Sequence, residues 1–566
     1  MCAATSLPYR RIFLTGFSGT GKSTVAELVA KELGWRALDT DTLIEEAAAL
    51  PVSEIFAEHG EERFREMERH AVERAAKERD AVIATGGGAI VAIENRRAMA
   101  KDALVVALDA RPQTIVDRLR SNEGTSERPL LQGPDPLARI IELKAAREHV
   151  YALADTIVET EGKTAREVAQ AVVEAVRGAG EWASRHPERL LLPSEREAPP
   201  STAPVRVDAP SREYEVHAGW GLLDRLGELL RDQGLSGAAH VVSDTNVLSR
   251  HGDRALLSLR RAGFDAEAFA IEAGEEHKRL ETAARVYDWL VSRRAERGQA
   301  IVALGGGVVG DLAGFVAATY LRGMPLVQAP TTLLAMGDAA IGGKTAVDHR
   351  EGKNLIGAFY QPRLVVEDVS ALKTLPHRLL IEGFAEVIKH ALILDAQLLD
   401  DLESHVDDLL HIEPATTVDV LRRSVAIKAS IVAQDERETT GLRALLNYGH
   451  TTGHAIEAAA AYAIGHGAAD AIGMMAAAEI GRRAGVTTQH VIDRQRAVLE
   501  RFGLPLRARD AGLSLDADAV LDAMTLDKKV TDGTIRWVLV EDAGRAVLRS
   551  DVSMDIVRDV VREVLA

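Results

Sequence analysis

Residues 11–23 read RIFLTGFSGTGKS, and the fold of the N-terminal third follows from them. The apolar run at 12–14 is predicted as a short strand, Gly16 through Gly21 as a turn, and Thr24 onward as a helix. Strand, glycine-rich turn and helix N-terminus is the order of a phosphate-binding loop. Its backbone N–H groups and the helix dipole attract an anion, a lysine neutralises transferring charge, and a serine reaches Mg²⁺. A glycine-rich turn without a ligand would not explain the Lys22-Ser23 pair. The loop assigns Gly19, Thr20, Gly21, Lys22, Ser23 and Thr24 to a nucleotide within an α/β domain.

Working outward, Asp39-Thr40-Asp41 follows a short strand at 36–38 and sets two carboxylates beside the loop. Then come Phe64-Arg65-Glu66 with Glu68, the stretch AVIATGGGA with Gly86-Gly87-Gly88, Arg128-Pro129-Leu130-Leu131, and Arg147 with Tyr151. Singly, each reads equally as surface charge or an ordinary turn. In this order and spacing they resemble shikimate kinase over residues 1–178, which is a P-loop NTPase fold of the nucleoside-monophosphate-kinase kind. The resemblance implies that Ser23 and Asp39 serve Mg²⁺, that Asp41, Arg65, Gly87 and Arg147 hold shikimate, and that Arg128 sits on a lid over ATP. Two arginines clamping a carboxylate, with an aspartate orienting the attacking hydroxyl, suit phosphoryl transfer from ATP.

At 566 residues the chain predicts two to four domains. A formal charge of −17 argues against a nucleic-acid surface, and small phosphorylated substrates need only a local basic cluster. Cys2 is the sole cysteine, which excludes an intrachain disulfide and fits a reducing compartment. No apolar run reaches the ~18–20 residues of a membrane span, and the opening Arg10-Arg11 leads into a glycine-rich loop and not a cleavage site. A cytoplasmic protein without membrane or nucleic-acid partners is expected. Residues 179–212, proline-rich and charged, are predicted as a semi-rigid linker. After it, βα patterning at 213–372 predicts a Rossmann-like α/β domain, and residues 373–566 an all-helical one.

Within the α/β part, a strand ends at Asp244-Thr245-Asn246, and the run at 300–304 enters Gly305-Gly306-Gly307-Val308-Val309-Gly310-Asp311. That turn suits a pyrophosphate but is not the dinucleotide fingerprint GxGxxG. Around it stand Glu275 and Lys278, Thr331-Thr332, and MGDAAIGGKTAVDHREGKN with Asp338, Lys344, Lys353 and Asn354. The helical part supplies Glu386 and Lys389 on one helical face, Lys428, and GLRALLNYGHTTGHAIEAAAAYAIGHG at 441–467. His450 and His454, four apart, share one helix face as a metal requires, and Thr451 replaces the glutamate of the protease pattern HExxH. On spacing alone, the pair reads either as ligands or as surface histidines.

Together these pieces resemble 3-dehydroquinate synthase from about residue 213 onward. The resemblance implies Zn²⁺ (or Co²⁺) on Glu386, His450 and His466. It places NAD⁺ against Asp244, Asn246, Glu275, Lys278, Gly306, Gly307, Val308, Val309, Gly310, Asp311, Thr331, Thr332, Asp338, Lys344 and Lys353. Lys344, Lys353, Asn354, Lys389, Arg443, Asn447 and His454 become catalytic residues, beside Lys22 and Asp41 in the first half. Lys428 and Lys528 are weaker transfers, and a homodimer through the second half is compatible with the family. The implied product is 3-dehydroquinate, formed from a heptulosonate 7-phosphate with loss of phosphate and no net redox change. The chain departs from the family at Ala468, Asp470 and an extra Thr439 or Thr440, none of which is expected to touch a ligand. A related sugar-phosphate cyclase or polyol dehydrogenase is the alternative for the second half, and a non-catalytic binding module for the first. Arg443, Asn447, Lys389 and the GGK…GKN block favour an acidic substrate, and intact Lys22, Asp41 and Arg147 favour a working kinase.

Overall fold

The computed structural model describes residues 9–121, 135–196, 201–438, 441–526 and 535–566. Arg128, Thr439, Thr440 and Lys528 lie outside them. The chain forms two compact units, Met1–Pro200 with Asp253–Leu257, and Ser201–Gly252 with Ser258–Ala566.

The first unit is built on a five-stranded parallel sheet of β1 (Arg11–Thr15), β2 (Arg36–Asp39), β3 (Ala81–Ala84), β4 (Leu104–Asp109) and β5 (Thr156–Glu159), in the order β2-β3-β1-β4-β5. Every residue of β1 is buried, as expected of a central parallel strand covered by helices on both faces. The register pairs Ile12 with both Val82 and Leu104, so the loop after β1 opens at the C-terminal edge of the sheet.

The segment at 179–212, expected as a linker, is largely ordered. Trp182–Arg185 and Pro187–Leu190 are short helices packed on the first unit. Arg189, 1% exposed, explains why: its guanidinium donates to Asp155, to Ala100 O at 3.0 Å and to Ala103 O at 2.8 Å. A five-donor fork satisfied at every turn anchors chain that composition alone marks as loose. Further on, β6 (Val205–Ala209) is an edge strand of the second sheet.

That sheet adds β7 (Arg212–Gly219), β8 (Ala238–Asp244), β9 (Asp265–Ile271), β10 (Ala300–Gly305), β11 (Leu326–Pro330) and, beyond the β12 (Lys344–His349)–β13 (Gly352–Phe359) hairpin, β14 (Leu364–Asp368). Its order is β6-β7-β14-β11-β10-β8-β9, with β6 antiparallel and the other pairs parallel. The helical part packs on the same unit and also carries a hairpin, β15 (Trp537–Asp542) with β16 (Arg545–Arg549). The all-helical expectation missed it because both strands are short and surrounded by helical sequence. Among the described residues no helix is long and apolar enough to cross a membrane.

Glycines let three helices meet closely. A Cβ on Gly467 would lie 2.0 Å from Glu382 O on the His377–Leu394 helix, and one on Gly473 2.1 Å from Gly449 O. These contacts bring the His466–Arg483 helix against the helices carrying Glu386 and His450. Gly467→Ala should therefore destabilise the second unit by about 1–3 kcal/mol, the usual range for overpacking. Thermal unfolding followed with and without NAD⁺ checks it, and an unchanged transition would contradict the close packing.

Candidate active sites

In the first unit the loop from β1 to the Lys22–Leu33 helix holds Gly16, Gly19 and Gly21 at φ of 126°, 86° and 92°. A Cβ on Gly16 would sit 2.2 Å from Leu108 O, so the turn admits only glycine there. Lys22 is buried and turned inward, donating from Nζ to Gly16 O at 2.9 Å and Phe17 O at 3.0 Å. Burial lowers its pKa to about 8, while Asp41 and Asp39 pull upward. Thr20 Oγ1 closes the loop on Phe17 O at 2.8 Å. Ser23 Oγ donates to Asp39 Oδ2 at 2.6 Å, and Asp39 caps the next helix through the Asp41 N–H at 2.9 Å. Burial pushes Asp41 up to about 6, helped by Asp39 and opposed by Lys22.

The triple glycine is the hub of this pocket. A Cβ on Gly86 would lie 2.8 Å from Asp41 Oδ1, a buried atom without a hydrogen-bond partner among the described residues. Gly87 O accepts from Arg147 Nη1 at 3.4 Å and from Tyr151 Oη at 2.6 Å. A Cβ on Gly88 would lie 2.7 Å from Arg65 Nη1, and Arg65 is held by Glu68 at 2.9 Å and Glu61 at 3.0 Å. Asp41, Arg65, Gly87 and Arg147 thus gather around one loop. Glu68, which had been given no role, sets the angle of Arg65.

In the second unit adjacent strands end together. The register aligns Leu304 with Ser243 and Gly305 with Pro330. Asp244, the Gly305–Gly307 turn and Thr331-Thr332 therefore share the C-terminal edge, where ligands of parallel sheets sit. Asp244 accepts from the Asn246 N–H at 2.8 Å. Gly306 caps the Gly307–Thr319 helix, whose first turn carries Val308, Val309 and Gly310, with Asp311 just after it. A Cβ on Gly306 would come 3.2 Å from Thr332. Thr331 Oγ1 is buried without a partner among the described residues, a polar atom suited to a ligand. Lys278, also buried, gathers Glu275 at 2.9 Å, Asp311 at 3.3 Å and Asp348 at 3.7 Å. Lys353 is 3.8 Å from Glu275 and 4.3 Å over the Tyr462 ring, and the Asn354 N–H donates to Asp348 at 2.8 Å.

Deeper in the helical part, Glu386 and Lys389 are each 1% exposed and paired. His450 Nε2 lies 3.3 Å from Glu386 Oε1 and 3.3 Å from Lys389 Nζ, and His466 Nε2 is 3.6 Å from Glu386 Oε1. Asn447 orients His450 through Nδ1 at 3.3 Å, and Glu457 orients His466 through Nδ1 at 3.4 Å. Lys428, buried and lowered to about 8 by that burial, pairs with Asp338. Arg443, 3% exposed, donates to Glu436 O at 2.8 Å and lies 3.6 Å from Glu438, which also pairs with Lys344. Lys344 itself is half exposed.

One expectation is corrected. Asp470 was expected to touch no ligand, yet its Oδ2 lies 2.8 Å from His450 Nε2 and 3.2 Å from His466 Nε2. Its place four residues after His466 puts it on the same helix face, a signal the sequence did contain. His450, His454, His466 and Asp470 each offer a donor atom within 4.8 Å of the others, and Asp338, Glu386 and His390 form a second such group. His454 stacks on His450 with ring centroids 4.7 Å apart.

A glycine-rich phosphate loop ending in Lys-Ser beside two acids is the build of a P-loop phosphotransferase. A parallel sheet joined to a cluster of half-buried imidazoles and buried carboxylates is that of an α/β enzyme with a helical domain and a candidate metal site. Comparison with known proteins agrees: residues 18–177 match the shikimate kinase family, 268–382 the N-terminal and 383–530 the C-terminal part of 3-dehydroquinate synthase. The synthase of Nostoc punctiforme (strain ATCC 29133 / PCC 73102) is 44% identical over 364 residues, 64% of this chain and 99% of that one. That of Symbiobacterium thermophilum is 46% identical over 347 residues, 61% and 96% of the two chains. Among solved structures, the 2-epi-5-epi-valiolone synthase of Streptomyces hygroscopicus subsp. jinggangensis 5008, with NAD⁺ and Zn²⁺ bound, is 31% identical with a TM-score of 0.57, covering 62% of this chain and 96% of its own. A 2-deoxy-scyllo-inosose synthase holding carbaglucose-6-phosphate, NAD⁺ and Co²⁺ is 27% identical with a TM-score of 0.58, covering 64% and 100%. The chain belongs to the 3-dehydroquinate synthase family and carries a shikimate kinase domain ahead of it. It therefore unites two enzyme activities of the shikimate pathway.

The raised Asp41 sets the sign of one pH effect. A carboxyl pushed up to about 6 is protonated below that pH and ionised above it, so kinase kcat/KM for shikimate should fall on an acid limb near pH 6. Asp41→Asn should remove the limb along with about 10²–10⁴ of the rate. A limb unchanged in the variant would assign it to another group.

Proposed function

We propose that the first unit transfers the γ-phosphoryl group of ATP to shikimate, giving shikimate 3-phosphate. The second converts 3-deoxy-D-arabino-heptulosonate 7-phosphate to 3-dehydroquinate and phosphate. The observation that carries the second assignment is the convergence of Glu386, His450 and His466 beside Lys389.

In the kinase site, residues 19–24 cradle the nucleotide phosphates, and Ser23 and Asp39 hold Mg²⁺, which neutralises charge on the transferring group when bound. Lys22 exchanges its two loop carbonyls for phosphate oxygens. Arg65 and Arg147 clamp the shikimate carboxylate against the Gly87 loop. Asp41, ionised, accepts the hydrogen bond of the attacking hydroxyl and takes its proton.

In the synthase site, Asp244, Asn246, Glu275, Lys278, residues 306–311, Thr331 and Thr332 hold NAD⁺, and Glu386, His450 and His466 hold Zn²⁺ or Co²⁺. When bound, the metal acidifies a substrate hydroxyl and the nicotinamide accepts and returns a hydride. Lys389, locked by Glu386, presents a fixed positive charge to a substrate oxygen. Lys344, Lys353, Asn354, Arg443 and Asn447 position the phosphate and carboxylate ends, with Asp338 held by Lys428. His454 faces the substrate from one turn beyond His450 on the same helix.

The likeness to 2-epi-5-epi-valiolone synthase supports a second reading, a cyclase for a heptulose phosphate without a carboxylate. Phosphate release from each sugar separates them: turnover of the heptulosonate alone is expected, and preference for the carboxylate-free sugar would favour the second reading. His450→Ala and His466→Ala should lose bound metal, measured by elemental analysis, and with it activity. His454→Ala should lose activity and keep metal. Equal metal loss in all three would assign His454 to the ligand set instead.

A further inference from the structure

We propose that Asp470 is a fourth protein ligand of the metal, completing a set of two imidazoles and two carboxylates with Glu386, His450 and His466. The inference rests on the metal reading given above for the latter three.

Four atoms converge: His450 Nε2, His466 Nε2, Glu386 Oε1 and Asp470 Oδ2. The two nitrogens lie 3.3 and 3.6 Å from the glutamate oxygen, and 2.8 and 3.2 Å from the aspartate oxygen. Ligands at about 2.0–2.1 Å from a tetrahedral zinc stand roughly 3.3–3.4 Å from one another. The four nitrogen–oxygen separations, four of the six edges of such a tetrahedron, fall on both sides of that value, as donors gathered around one ion would.

Each imidazole has its other nitrogen engaged, His450 Nδ1 with Asn447 and His466 Nδ1 with Glu457, so Nε2 of both is turned to the shared point. Such outer partners fix the tautomer a metal needs. Asp470 faces the Nε2 side, where a ligand belongs, and not the Nδ1 side, where an orienting carboxylate would sit.

Asp470 is 1% exposed, and neither of its oxygens has an aligned hydrogen-bond donor among the described residues despite the short approaches. A buried carboxylate without donors is costly, and a cation at the convergence point removes that cost. Gly453 makes room for it: a Cβ there would lie 2.6 Å from Asp470 Oδ1.

Two carboxylates balance the charge of a divalent ion, so the ion is held more tightly than by Glu386 and two histidines alone. The test uses the full chain loaded with Zn²⁺ or Co²⁺. A crystal structure of the zinc-loaded protein is expected to place the ion about 2.0–2.2 Å from an Asp470 oxygen. Zinc held by Glu386, His450 and His466 with Asp470 beyond bonding distance overturns the proposal and leaves the three-ligand reading standing. No zinc at the cluster defeats both. In solution, Asp470→Asn and Asp470→Val should keep NAD⁺ binding, weaken metal affinity about 10–100-fold in chelator competition, and alter the visible absorption of bound Co²⁺. Affinity and cobalt spectrum both unchanged in the two variants would overturn it equally.

Discussion

The buried pair of Glu386 and Lys389 is the constraint on which the second unit depends. Both groups are 1% exposed, and breaking such a pair by removing one partner costs about 3–5 kcal/mol. Nearby, Asp338 pairs with Lys428, and Asp470 stands against the imidazoles. Among these groups, three carboxylates against two ammoniums leave one negative charge. Without a metal, His466 takes up the slack: Asp470 first, despite the opposing effect of burial, and then Glu386 and Glu457 hold its pKa well above the ordinary value. On the proposed reading, a divalent ion bound there would replace that proton and turn the balance positive, which would suit an anionic substrate.

The same logic operates in the first unit with a different cation. Lys22 is buried at the loop, satisfied by two carbonyls, and held near neutrality's edge at about 8 by desolvation. Carbonyls are weak partners for an ammonium, so the lysine is primed to exchange them for phosphate oxygens. Asp41, whose Oδ1 has no hydrogen-bond partner among the described residues and which is pushed up to about 6, is its counterpart on the acceptor side. Each site thus stores an electrostatic imbalance that its ligand resolves. Packing sustains the imbalance: Gly16 under Leu108 in one unit, Gly467 under Glu382 in the other.

What could be read from the sequence followed from how local the signal was. The phosphate loop is contiguous, so strand, turn, lysine and serine were legible within thirteen residues. The strand ends carrying Asp244, Gly305 and Thr331 were legible one at a time, but their meeting at one edge is a property of the strand order. At the metal cluster, helical spacing singled out His450 and His454, whereas Glu386 and His466 entered only by family resemblance. Spacing reports which side chains share a face, not what faces them. Asp470 was legible by that same rule from His466 but was read only as a departure from the family pattern, and its other partner, His450, lies on another helix. The ordered segment around Arg189 was hidden for the opposite reason: proline and charge mark it as loose, and one guanidinium fork binds it down.

With Asp470 as a fourth metal donor, as proposed, a substrate oxygen would have to enter beside four protein groups. Zinc accepts a fifth ligand without a preferred geometry of its own, so entry does not require that a protein group leave. The surroundings decide which donor yields if one does. Glu386 is ion-paired with Lys389, and the imidazoles are held by Asn447 and Glu457, whereas the close partners of Asp470 among the described residues are the two imidazoles themselves. It is therefore the ligand with least to lose by moving. Fixed donors that define the site and one loosely held carboxylate that balances its charge are compatible demands, and the close helix packing satisfies both at once.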